Sequence, residues 1–316
     1  MNKRQKIFVT ATTAIILTTI IMGFALMPQN KPENSGKLNV VATFYPLAYF
    51  AQEIGGEKVA VTQLIPDNTE VHNWQPSPSD ILAVDNADVI LYNGASLDHW
   101  FEDDVLSAID LTNKIVVETT QGVALLEAGQ ETDEHDHEHE GLYDPHTWIS
   151  PFVAEQQAQN IYLALTQKDP SNADYYATRW QSLKTRFEEM DNRYVTELAN
   201  KTKHDIFVAH SAFGYLAAGY GFEQHGVIGI SADEQPSAAA YVNLVDLMVQ
   251  YETYAVYVNP VYSDESAQTL KAELQRLTGQ NVQILTLNFM LGNMNGLDYF
   301  GQQEQNLQNL KTGLGV

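Results

Sequence analysis

Eight short runs of apolar, largely β-branched residues, arranged as two series of four, set the strongest limit on how this 316-residue chain folds. The first series is LNVVATF (38–44), VAVTQLI (59–65), DVILYN (88–93) and KIVVET (114–119). The second is DIFVAH (205–210), GVIGIS (226–231), YAVYVN (254–259) and VQILTLN (282–288). Helical patterns separate the runs within each series, and strands that alternate with helices belong to parallel sheets covered on both faces. The length allows two domains of ordinary size. The chain therefore reads as an α/β protein with two similar lobes, each built on a parallel-type sheet.

Between the two series Asp169 and Pro170 read as the N-cap and first position of a helix that continues to about Asn200. Tyr176, Trp180, Leu183, Phe187, Met190 and Tyr194 recur at alternating spacings of four and three. They form one apolar stripe along a helix of about 30 residues, ~45 Å long. A rigid linking helix at 169–201 then joins an N-terminal lobe at 37–168 to a C-terminal lobe at 202–316. A strut of this kind implies limited hinge motion between the lobes.

Residues 1–36 are of another kind. Lys3, Arg4 and Lys6 precede an uncharged run from Ile7 to Met27, and a polar, turn-rich stretch then extends to Gly36. This is the pattern of a secretory signal or an N-terminal membrane anchor, and the run is close to the ~20 residues that span a bilayer. The expected location is periplasmic or otherwise extracytoplasmic. The sequence has no cysteine, which removes disulfides, thiolate metal sites and lipidation on cysteine, so a lipoprotein is not expected. The chain holds 17 basic and 40 acidic residues; residues 1–36 account for four of the bases and one of the acids. Residues 37–316 thus carry a large negative charge, which disfavours nucleic acid as a partner and attracts cations.

Histidine placement makes a divalent metal the first chemical question. His72 follows the strand VAVTQLI through the turn PDNTE, His146 lies in DPHTWISP before a helix starting near Pro151, and His210 ends the strand DIFVAH. Ligands of open α/β sheets collect beyond the carboxyl ends of strands, so one lobe supplies His72 and His146 and the other His210, with the metal in the cleft between the lobes. A further acidic, histidine-rich stretch spans 130–141 and contains His135, His137 and His139. Imidazole with carboxylate suits a borderline divalent ion.

TEVHNWQPSPSDI, ADVILYNGASLDHW, DPHTWISP and AHSAFGYLAAGYGFEQHGVIGISADEQPSA resemble, in that order and spacing, the substrate-binding proteins of zinc and manganese ABC importers. The resemblance runs from Leu38 to the C-terminus. It implies two α/β lobes joined by one long helix, a metal held by His72, His146 and His210, and delivery to a membrane permease driven by a separate ATPase subunit. The chain itself has no Walker-type phosphate loop. Family members that carry manganese usually replace the third histidine by a carboxylate; His210 is retained here, and three imidazoles suit zinc better than manganese. The manganese reading stays as the alternative.

Many relatives add an Asp or Glu after the last strand, where ILTLNFMLGNMNG places Asn288 and Leu291 instead. The fourth position then falls to water, or to Glu70, Asp233 or Asn288. Asp144 is a candidate to orient His146 from behind. His135, His137 and His139 would gather zinc weakly and pass it inward. Three histidines plus water is also the pattern of zinc hydrolases and hydratases, but HExxH and G-x-S-x-G are absent, and no enzyme is expected. Metal affinity should fall as protons compete for the imidazoles at lower pH. A monomer is expected.

Overall fold

The computed structural model describes residues 36–128, 143–230 and 237–316. In the first half, β1 (Leu38–Ala42), β2 (Val59–Gln63), β3 (Val89–Tyr92) and β4 (Ile115–Glu118) form a parallel sheet in the order β2-β1-β3-β4. In the second, β5 (Asp205–His210), β6 (Glu223–Ile228), β7 (Ala255–Val258) and β8 (Gln283–Thr286) repeat the pattern as β6-β5-β7-β8. The result is two parallel-sheet α/β lobes, as the two series of apolar runs predict.

The strands fall inside the predicted runs, with one shift. β6 starts at Glu223 and ends at Ile228, three residues earlier than GVIGIS. It is an edge strand paired only with β5, from Asp205↔Glu223 to His210↔Ile228. Polar Glu223, Gln224 and His225 are acceptable there because an edge leaves side chains near water, and so no apolar run announces its start.

Helices α1 (Tyr45–Gly55), α2 (Pro78–Asp85) and α3 (Pro151–Lys168) belong to the first half. The second half carries α5 (Gly214–Tyr220), α6 (Ala238–Gln250), α7 (Glu265–Thr278) and α8 (Tyr299–Leu314). Between the halves lies α4, Ala173–Glu197, of 25 residues and so ~37 Å. It is shorter than the predicted helix because Pro170–Asn172 forms a separate 3-10 turn. Asp169 accepts from Ser171 Oγ, Asn172 Nδ2 and Tyr176 Oη at 2.5, 2.6 and 2.9 Å, which ties that turn to the first turn of α4.

All six residues of the predicted α4 stripe are buried. Trp180 stacks on Tyr162 of α3, Phe187 meets Phe50 of α1 and Phe300 of α8, and Tyr194 stacks on Tyr220 of α5. One stripe thus packs against helices of both lobes, and a single apolar core runs through them. Successive residues of β5 alternate between faces: Ile206 and Val208 join that core, whereas Phe207 packs with Leu244, Met248, Leu270 and Leu274 of α6 and α7. This two-sided burial fixes the sheet, and with it the carboxyl end of β5 where His210 sits.

Candidate metal centre

Three histidines far apart in sequence meet at one point. His72 stands in the loop beyond β2, His146 heads a 3-10 turn (Thr147–Ile149) that leads into α3, and His210 is the last residue of β5. His72 Nε2 lies 3.2 Å from His146 Nε2, and His210 Nε2 lies 3.3 Å from the same atom. Ligand nitrogens at the corners of a tetrahedron with Zn–N of ~2.0–2.1 Å are separated by about 3.3 Å. The spacing matches the edge of such a tetrahedron. Two of the three histidines come from the first half of the chain and one from the second.

The environment favours neutral imidazoles. His146 and His210 are 1% and 5% exposed, and Trp148, Phe289 and Tyr262 surround the cluster. Burial, and then the neighbouring His146, hold His72 down to about 3. His210 is held well below the ordinary imidazole range by burial first, then by His146 and His72. Charging either ring would put a positive charge in an apolar enclosure beside two other rings. Both rings therefore keep lone pairs free for a cation across the neutral range, and for these two residues proton competition begins below the usual imidazole range.

His146 is fixed from behind. Its Nδ1 lies 2.8 Å from Asp144 Oδ1, which also accepts its backbone N–H at 3.0 Å. A carboxylate on Nδ1 holds the proton there and directs the Nε2 lone pair at the cluster. The Asp144 backbone oxygen accepts from Tyr215 Oη of α5 at 2.6 Å, and the same hydroxyl accepts from Leu126 N–H at 3.1 Å. Gly214 is required for this approach, since a Cβ there would stand 2.5 Å from Asp144 Oδ2. Trp148 Nε1 donates to the Phe289 carbonyl, Tyr299 Oη to the Trp148 carbonyl, and Gln303 Nε2 to the Ile149 carbonyl, at 2.7, 2.7 and 2.8 Å. The loop carrying His146 is thereby gripped by the second half of the chain.

The candidates for a fourth ligand separate. Asn288 is buried; its Nδ2 donates to Gln305 Oε1 and Asn306 Oδ1 of α8 at 2.7 and 3.2 Å, while its Oδ1 is buried without a hydrogen-bond partner. Glu70 Oε1 accepts the His72 N–H at 2.9 Å, while Oε2 is buried without a hydrogen-bond partner. Glu70 also contributes, after burial, to the rise of the Tyr262 phenol above its usual range. Asp233, His135, His137 and His139 lie outside the described residues, as does the N-terminal segment through Ser35.

Among the described residues one other group of metal-type donors gathers, Asp205, Glu223 and His225. It sits near the opposite, amino ends of β5 and β6, where His225 Nε2 is already 2.8 Å from Asp205 Oδ1 and its ring stacks on Phe207. His99 and His204 are exposed. Residues with no role assigned from sequence that prove central are Tyr215, Gly214 and Phe289. Their partners are about 70 to 140 residues away, and nothing local marks them.

The chain is 31% identical over 293 residues to the high-affinity zinc uptake system protein ZnuA of Bacillus subtilis, covering 89% of this chain and 88% of that protein. Its structure is similar to that of the metal-dependent lipoprotein YcdH from Bacillus subtilis, with a TM-score of 0.74, 30% identity, and 89% and 100% of the two chains covered. The Zn(II)-bound ZnuA-like domain of Streptococcus pneumoniae AdcA superposes with a TM-score of 0.73 at 26% identity, again over 89% and 100%. The family described as ZnuA, zinc-uptake complex component A periplasmic, matches residues 40–313, and this chain belongs to it.

Proposed function

We propose that the protein captures Zn(II) outside the cytoplasmic membrane through His72, His146 and His210 and delivers it to an ABC permease powered by a separate ATPase subunit. The observation that carries this reading is the meeting of three Nε2 atoms at tetrahedral spacing in an aromatic enclosure, where burial holds His72 and His210 neutral. Zinc is cargo here, and the transport family argues against the hydrolase reading of the same three histidines. Water completes the coordination, with Glu70 the next candidate because it lies two residues before His72 and its Oε1 accepts the His72 N–H. The protein acts as a monomer, and Ile7–Met27 either directs export or retains the chain at the membrane. His135, His137 and His139 collect zinc and pass it inward.

Metal analysis combined with competition titrations of zinc and manganese tests the reading. One tight zinc per chain is expected, with manganese failing to displace it and with His210→Ala losing it. Near-native affinity in His210→Ala, or equal affinity for manganese, would overturn it. Removing residues 131–140 is expected to slow loading at limiting zinc and to leave the equilibrium affinity unchanged.

A further inference from the structure

The Asp144 contact sets the tautomer and direction of the His146 ring, but the place of the residue in space is set by the backbone on either side of it. Both sides converge on one side chain. Asn93 directly follows β3 and is fully buried. Its Nδ2 donates to the carbonyl of Pro145 at 3.0 Å, and its Oδ1 accepts from Thr147 Oγ1 at 3.3 Å, so the residues before and after His146 are held by the two ends of one amide. Its remaining bonds are to the Gly94 carbonyl at 3.0 Å and from Gln157 Nε2 of α3 at 2.9 Å. A primary amide supplies both the donors and the acceptor that this arrangement uses.

Asn93 is itself immobilised. Its backbone N–H donates to Asp98 Oδ2 at 2.8 Å, and its carbonyl accepts from Thr120 Oγ1 at 2.8 Å. Asp98, 3% exposed, also takes Thr43 Oγ1 on Oδ2 at 3.0 Å and the Gly94 N–H on Oδ1 at 2.9 Å, which ties together the chain beyond β1 and β3. A continuous path of buried hydrogen bonds therefore runs from the carboxyl ends of two central strands to the loop of the middle ligand. Such bonds are worth most where water is excluded.

We propose that Asn93, locked by Asp98, is a positioning residue that holds His146 at the meeting point and so sets zinc affinity without touching the ion. The proposal rests on the three-histidine reading. Its test is a zinc competition titration of the full chain, paired with the visible absorption of the cobalt-loaded protein, which reports ligand geometry independently of stability. Asn93→Ala is expected to weaken zinc binding by about tenfold or more, in the range of outer contacts to metal ligands, and to alter the cobalt spectrum. Thr147→Val, which removes the far end of the clamp together with the 3.3 Å contact of the same hydroxyl to the Pro145 carbonyl, is expected to shift both in the same direction by less.

A folded Asn93→Ala protein with lower thermal stability but wild-type zinc affinity and cobalt spectrum would reduce the network to a structural one and overturn the proposal. Should Asn93→Ala fail to fold, Thr147→Val decides: wild-type values overturn the proposal, and weaker binding with an altered spectrum supports it. Failure of the underlying reading looks different, because His146→Ala would then bind zinc as tightly as the wild type.

Discussion

His72 and His146 come from the same lobe and meet at 3.2 Å, but the loops that carry them are held in different ways. The His146 loop is anchored at nearly every residue: Asp144 by Tyr215, Pro145 and Thr147 by Asn93, Trp148 by Phe289 and Tyr299, Ile149 by Gln303. The His72 loop is tied to the second half four and five residues before the histidine, by Asn68 N–H to the Leu291 carbonyl at 2.9 Å, Asn68 Nδ2 to the Asn293 carbonyl at 3.3 Å and Asn293 N–H to Asp67 Oδ2 at 3.2 Å, and the His72 N–H itself is held from within the loop by Glu70. His146 is buried to 1% exposure, whereas His72 is partly exposed. A site for a transported ion needs ligands in place to bind tightly and a way to let go. Rigid support around one ligand and lighter support around another meets both demands.

The comparison breaks most directly at the ligands. His146→Ala should cost the most zinc affinity, with His210→Ala next and His72→Ala last. A loss of roughly a hundred- to a thousandfold for the first is one ligand's share of the ~10–16 kcal/mol that a structural zinc site provides. Calorimetry with a competing chelator measures the order, and equal losses for His72→Ala and His146→Ala would remove the distinction between the loops.

Asp144→Asn should have the next largest effect. It keeps the shape but weakens the hold on Nδ1, and a loss of about 10–100-fold in zinc affinity is expected from that kind of change. Glu70→Gln sharpens the other side: a comparable loss would make Glu70 a ligand, while a change of less than about threefold would make it only a brace for the His72 backbone.

Acid tests the enclosure. His72 titrates at about 3 in the folded protein against 6.5 for a free imidazole. Below pH 6.5 the unfolded chain takes up a proton that the zinc-free folded protein does not. Stability is therefore fully present above that pH and is lost as the pH falls toward 3. The slope is at most about 1.4 kcal/mol per pH unit for each such histidine, and His210 has the same sign. Thermal unfolding of the zinc-free protein between about pH 7.5 and 5 should show the decline, and His72→Gln should flatten it.

Much of the architecture was legible because its signals are local. The apolar runs place each strand, and the stripe from Tyr176 to Tyr194 identifies the long helix, since period and side-chain type are properties of a short window. The start of β6 was not, because Glu223 to His225 are polar residues on a sheet edge. The three histidines that meet were singled out through strand ends and through family resemblance. Asn93 was not: an asparagine after an apolar strand is an ordinary turn residue until Pro145 and Thr147, more than 50 positions on, are brought to it.

By itself the sequence determined the chemistry on offer, which is imidazole and carboxylate without thiolate, and the parallel strands whose carboxyl ends present it. Tertiary structure decided which histidines among the described residues gather, how far apart their nitrogens stand, and how strongly burial resists protonation of His72 and His210. Those quantities depend on contacts such as Asn93 to Pro145, Tyr215 to Asp144 and Trp148 to Phe289, which join segments distant in the chain. Residue type is inherited from the sequence position, whereas distance and desolvation exist only once those segments have packed.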